Sequence, residues 1–145
     1  MASQKVLIVE DSDEIRELYA FVLARAGFDV IEAADGEVAL KMLDEAQPDV
    51  LITDIRTPGL NGIDLIHCIR GMEEWADLPV IAISGYGEEK LAEAAIQGAT
   101  KTLRKPLEPN RLLATVLSLA KSRQRKIKDR EGERKSDLLG FLRLG

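Results

Sequence analysis

Five side chains able to do chemistry stand where short apolar runs of this sequence give out. The runs are Lys5–Glu10, Asp29–Ala33, Asp49–Asp54, Pro79–Ser84 and Lys101–Arg104. The first ends in Glu10-Asp11, the third in Asp54, the fourth in Ser84, and the fifth runs into Lys105-Pro106. The second ends in Ala33-Ala34, which offers nothing reactive. Three carboxylates brought within a few ångströms raise each other's pKa, and a hard divalent cation relieves that repulsion. Magnesium suits the role, since it takes one or two carboxylates, several waters and a phosphoryl oxygen; manganese can substitute. Asp11 and Asp54, with Glu10 as a further acid, make a half-built shell that a backbone carbonyl at Arg56 could complete. A carboxylate can also act as a nucleophile and form an acyl phosphate, and Asp54 is the candidate. Phosphoryl transfer needs a fixed cation for the charge on the equatorial oxygens, which Lys105 can supply. Ser84 can donate a hydrogen bond to a phosphoryl oxygen.

Such a cluster requires elements that bring the run ends together. Three of the runs are nearly continuous Val, Ile and Leu, as in strands buried on both faces of a parallel sheet. The stretches between them have helical spacing. The first presents Ile15, Leu18, Val22 and Ala26, capped by Ser12 or Asp13 and stopped by Gly27. The second starts at Asp35 and buries Val38, Met42 and Ala46 ahead of Pro48; the third covers roughly 63–71. The fourth covers Glu88–Gln97 and stops at Gly98, and the fifth, from Pro109-Asn110, presents Leu112, Leu113, Val116, Leu117 and Ala120. Five strands alternating with five helices predict a doubly wound α/β fold, with a parallel sheet in the order 2-1-3-4-5. Ligands of open sheets of this kind bind beyond the carboxyl ends of the strands, where the order reverses. Strands one and three flank that point, and both end in acids.

The bulk properties agree with one domain of residues 1–120 and an extension of residues 121–145. Residues 1–120 carry 21 acidic and 11 basic side chains, whereas 121–145 carry 4 and 9. An acidic body argues against binding nucleic acid through the globular part. Beyond Ala120 the apolar pattern fades until Leu138, Leu139, Phe141, Leu142 and Leu144, so the extension either continues the last helix or is a disordered linker. No apolar run approaches the ~20 residues of a membrane span. The start, Met1 to Lys5, runs directly into the first strand and leaves no room for a secretory signal. Cys68 is alone, which excludes an internal disulfide and a cysteine metal cluster. A cytoplasmic location is the resulting expectation.

The ordered set VLIVED at 6–11, ITDIRTPGLNGIDLI at 52–66, AISG at 82–85 and KP at 105–106 resembles the receiver domain of two-component response regulators, over roughly residues 4–120. The resemblance implies a flavodoxin-like fold, with Asp54 the phosphoacceptor and Glu10 and Asp11 the acidic metal-binding pair. It makes Ser84 the hydroxyl that meets the phosphoryl group and Lys105 its ion-pair partner, with a Lys105-Pro106 bond often cis. It implies a phosphohistidine donor on a sensor histidine kinase or phosphotransfer protein. The output surface, which could also carry a homodimer, would be the face of the fourth helix, fifth strand and fifth helix. Two positions depart from the family pattern: Thr102 stands where an aromatic is common, and Arg56 sits two residues after the acceptor.

Other side chains read as structural. Pro58-Gly59 and Asn61-Gly62 suit turns. His67, the only histidine, has no partner for a metal cluster, Cys68 packs as a small side chain, and Trp75 packs on the domain surface within a polar stretch. Two rival functions use similar parts. A phosphatase passing through an aspartyl phosphate needs a second Asp two residues after the nucleophile, where Arg56 stands. A flavin-binding module needs a phosphate cradle in the first loop, but Glu10–Ile15 is acidic.

Overall fold

The structure, a computed structural model, describes residues 3–144. Met1 and Ala2, the first part of the expected lead into the sheet, and Gly145 lie outside the described residues. The chain alternates strictly between strands and helices. These are β1 (Lys5–Val9), α1 (Asp13–Arg25), β2 (Asp29–Ala33), α2 (Gly36–Ala46), β3 (Val50–Asp54) and α3 (Gly62–Arg70), then β4 (Val80–Ser84), α4 (Gly87–Gln97), β5 (Lys101–Arg104) and α5 (Pro109–Leu144). All four strand pairings are parallel and the sheet order is β2-β1-β3-β4-β5, as the sequence pattern predicts.

The three central strands β1, β3 and β4 each feed two cores, because successive side chains leave opposite faces of the sheet. Leu7 and Val9 of β1, Leu51 of β3 and Val80 and Ala82 of β4 pack under α2, α3 and α4. Val6, Ile8, Val50, Ile52, Ile81 and Ile83 pack under α1 and α5 with Tyr19, Leu23, Leu112 and Val116. That two-sided burial is why the runs are continuously apolar. Helix starts follow the capping residues: Ser12 Oγ accepts from the Ile15 N–H at 3.3 Å, and Asp35 Oδ1 from the Val38 N–H at 2.9 Å.

Several expected faces differ. In α1 the stripe against the sheet is Ile15, Tyr19 and Leu23, while Leu18 is exposed. In α2 Ala39 and Leu43 are buried and Val38 is exposed, the helix being turned by one residue from expectation. In α5 Leu117 is exposed and Leu119 takes its place inside. An apolar helix with residues at both three- and four-residue spacings offers two adjacent stripes, and the sheet selects one. Trp75 is also not at the surface. A single 3₁₀ turn, Glu73–Trp75, directs the indole into the core under α2 and α3, with its Nε1 3.4 Å from Asp44 Oδ1. His67 is exposed and pairs through Nδ1 with Gln97 Oε1 at 2.9 Å, and Cys68 is half-buried.

α5 runs unbroken across residue 120 for 36 residues. Past the sheet it touches the body at Asp77, which accepts from Arg130 Nη2 at 2.6 Å through its carboxylate. Leu138, Leu139, Phe141 and Leu142 are exposed. No helix among the described residues is long and apolar enough to cross a membrane.

Candidate functional site

Strand register assembles the site. Val9 pairs with Thr53, Asp54 with Ile83, and Ser84 with Arg104, so Glu10, Asp54, Ser84 and Lys105 fall in one row at the carboxyl edge. Main-chain bonds continue the ladder past the strand ends. Glu10 N–H donates to Ala33 O at 3.2 Å, Ile55 N–H to Ile83 O at 2.9 Å, and Lys105 N–H to Ser84 O at 2.9 Å. The residues that end the strands are therefore held by the sheet, not by loops.

The Lys105 ammonium crosses this row and contacts Asp54 Oδ2, lying 3.6 Å from Glu10 Oε2. Glu10 and Asp54 are 3% and 5% exposed, so both acids face a cavity rather than bulk water. An open cavity of about 500 Å³ is lined by Glu10, Asp11, Asp54, Arg56, Gly85, Tyr86 and Lys105. Asp11, exposed, borders it from the β1–α1 loop. Asp54 Oδ1 accepts the Arg56 N–H at 2.9 Å. Ser84 is buried, and its Oγ accepts the Tyr86 N–H at 3.0 Å, which leaves its hydroxyl proton available. The Lys105-Pro106 bond is cis.

The electrostatics show an excess of negative charge. Burial first, then contact with Asp54 and its charge, push Glu10 from 4.5 up to about 7, with Lys105 opposing. Burial pulls the Lys105 ammonium down, but the contact with Asp54 and the charges of Asp54 and Glu10 outweigh it, and its pKa is raised. One ammonium does not neutralise three acids, and a small hard cation fits the surplus. Among the described residues no group of three or more His, Cys, Asp or Glu side chains stands close enough together to hold a metal ion by itself. The carboxylates that line the cavity are those of Glu10, Asp11 and Asp54, too few to fill six positions, which suits a cation that keeps several waters, as magnesium does.

Each residue singled out in the sequence thus comes to this corner: Glu10, Asp54, Ser84 and Lys105 in the row, Asp11 and Arg56 at its mouth. Three further residues stand against it, Tyr86 and Arg16, which the sequence does not single out, and Gly62, expected there only as a turn residue. Arg56 stacks its guanidinium on the Tyr86 ring, 4.2 Å from the centroid, across the opening. Gly62, at the start of α3, lies so close to the Asp54 main chain that a Cβ there would meet Asp54 O at 2.4 Å. Arg16 donates through Nη1 to Glu10 O at 2.7 Å. The AISGYG and LNG stretches carried the first two as an aromatic and a glycine beside site residues; Arg16, six residues from its partner, gave no local signal. Thr102 borders an open depression lined also by Leu91 and Ala95 of α4 and by Arg104 of β5.

Residues 6–117 match the model of the response regulator receiver domain. The chain is 34% identical over 115 residues to the phosphate regulon transcriptional regulatory protein PhoB of Escherichia coli, an alignment covering 79% of this chain and 50% of PhoB. The chain spans about half the length of such curated relatives. Among solved structures, the chemotaxis protein CheY4 of Vibrio cholerae superposes with a TM-score of 0.76 at 34% identity, over 81% of this chain and 99% of CheY4. A response regulator from Chloroflexus aurantiacus does so with 0.78 at 32% identity, over 82% and 98%.

Proposed function

The chain belongs to the response regulator receiver domain family of two-component systems, and from that premise we propose that it is switched by transfer of a phosphoryl group to Asp54. One observation carries this reading: the Lys105 ammonium lies against the Asp54 carboxylate in a cavity shared with Glu10 and Asp11. In the reaction, a carboxylate oxygen of Asp54 attacks phosphorus while the phosphorus–nitrogen bond of a donor phosphohistidine breaks. The bonding pair leaves with the imidazole, which takes a proton from solvent. Asp11, Asp54 and the Arg56 main-chain carbonyl would hold Mg²⁺ or Mn²⁺, with Glu10 beside them. The cation supplies neutralisation of charge on the transferring group. Lys105 exchanges part of its contact with Asp54 for a phosphoryl oxygen, and the Ser84 hydroxyl donates to another.

The donor is a sensor histidine kinase or a phosphotransfer protein. The chain promotes its own phosphorylation and dephosphorylation without being a turnover enzyme. Arg56, engaged with Tyr86, stands where an aspartyl-phosphate phosphatase needs a second acid. Phosphorylation shifts a pre-existing equilibrium between two conformations. The output is a change in protein–protein contacts, and homodimerisation, through the face of α4, β5 and α5. The acidic body does not bind nucleic acid or membrane, and the protein works in the cytoplasm. Residues 1–120 form the switch and 121–145 an extension of it.

Incubation with acetyl phosphate and Mg²⁺, followed by intact mass measurement, tests the reading. Wild type should gain one phosphoryl group, and Asp54→Asn or a chelated sample none. An unmodified wild type would overturn it.

A further inference from the structure

The two acids at the end of β1 occupy a loop of three residues, Glu10, Asp11 and Ser12, between strand and helix. Asp11 is exposed, so its carboxylate is aimed by its main chain rather than by packing. The peptide that sets this direction is the one joining Glu10 to Asp11. Its carbonyl accepts the Arg16 Nη1–H at 2.7 Å. The same guanidinium reaches Asp13 Oδ1 at 2.5 Å through Nη2 and Glu32 Oε1 at 3.3 Å through Nε. Its side chain is only 14% exposed. One planar fork therefore ties the end of β1 to the first turn of α1 and to β2. On the other side of the same residue the Glu10 N–H donates to Ala33 O. Beyond Asp11, the Ser12 N–H lies 3.4 Å from Glu10 Oε1 and the Ser12 hydroxyl caps α1.

We propose that Arg16 is a positioning residue for the cation site, locking the Glu10–Asp11 peptide plane so that Asp11 faces Asp54; this rests on the metal-binding reading above. The lock is geometric, and the charge of Arg16 works against it. Asp13 and Glu32 balance that charge, and deleting it would leave two more unpaired carboxylates near the site, which attract a divalent cation more strongly. Loss of the lock frees the Asp11 main chain and weakens binding. The two effects have opposite signs, so a titration separates them. Lysine keeps the charge but is a point donor that cannot span three partners in one plane.

The experiment is an amide chemical-shift titration of the full chain with MgCl₂, on wild type, Arg16→Lys and Arg16→Met. Thermal melts in chelator report whether each variant is folded. Orienting partners of metal ligands are typically worth 10- to 100-fold in affinity, and both variants should lose about tenfold or more while melting as single cooperative transitions. Half-saturation of acetyl phosphate labelling by Mg²⁺ should rise in parallel, with the rate at saturating Mg²⁺ nearly unchanged. An Arg16→Met protein that binds Mg²⁺ as well as or better than wild type overturns the inference. So does an Arg16→Lys protein with wild-type affinity, since a single point donor would then hold the loop as well as the planar fork. A wild type that binds no Mg²⁺ removes the metal-binding reading itself, and that result is distinct because it precedes any variant.

Discussion

Lys105 and Asp54 are 51 residues apart in sequence and in contact at the carboxyl edge of the sheet. The pair forms because β4 lies between β3 and β5, and the ladder hands the register from one to the next. The lysine side chain is long enough to cross that intervening strand.

Replacing Lys105 by methionine keeps most of the stem and removes the charge. A fixed donor aimed at developing negative charge is typically worth 10²- to 10³-fold in rate. Labelling of Lys105→Met by acetyl phosphate should slow by roughly that factor, followed by time-resolved intact mass. A rate within threefold of wild type would remove Lys105 from the transfer.

Glu10 gives a pH signature in metal-free buffer. Its folded-state pKa is raised from 4.5 to about 7 by burial and by Asp54, so the folded state binds its proton more tightly than the unfolded one. Stability from this group is therefore greatest below about pH 4.5 and declines as pH rises to about 7. Glu10→Gln should melt higher than wild type at pH 8 in chelator, and the advantage should shrink towards pH 5. Equal melting temperatures at pH 8 would sink the assignment.

The Arg56–Tyr86 stack covers the opening over Asp54. Such pairs contribute about 0.5–1 kcal/mol at exposed sites, or roughly two- to fivefold in how often the opening is uncovered. Tyr86→Ala should shorten the lifetime of the acyl phosphate by about that factor, while Tyr86→Phe, which keeps the ring, should not. The decay of the phosphorylated mass after removing the donor is the measurement. A longer lifetime in Tyr86→Ala would refute a shielding role.

Gly62 has no room for a methyl group, since an added Cβ would lie 2.4 Å from Asp54 O and 2.8 Å from Ile55 Cα. Relief requires moving β3's last residue or the start of α3. Gly62→Ala should lose about 1–3 kcal/mol, the usual range for overpacking, seen as a lower urea midpoint, with slower labelling of Asp54. An unchanged midpoint would show that α3 shifts freely.

What the sequence disclosed follows from which interactions are local. The strands were legible to within one residue because two-sided burial demands unbroken apolar runs such as Val50–Ile52. The helix ends at Ser12 and Asp35 were legible because a cap is a short-range bond. The row of the candidate site was legible because Glu10, Asp54, Ser84 and Lys105 each end a strand or follow directly on one. The facing of α1 and α2 was not, since Leu18 or Tyr19, and Val38 or Ala39, are equally apolar choices until a sheet is present. Trp75 was misjudged because Glu73, Glu74 and Asp77 around it are polar, while one 3₁₀ turn alone decides which way the indole points. Arg16 and Tyr86 act through partners that only the folded loops bring near.

The length of α5 has a mechanical consequence. At 1.5 Å per residue, the part beyond Arg130, where the pair with Asp77 ties the helix to the body, is a rod of roughly 21 Å, and the root of the helix is clamped on the sheet by Leu112, Val116 and Leu119. Leverage then multiplies small adjustments of the helix: a tilt of about 5° sweeps the far end of that rod through roughly 2 Å. Sub-ångström repacking beside β5 would thus arrive at Leu138 and Phe141 as a displacement of roughly an ångström.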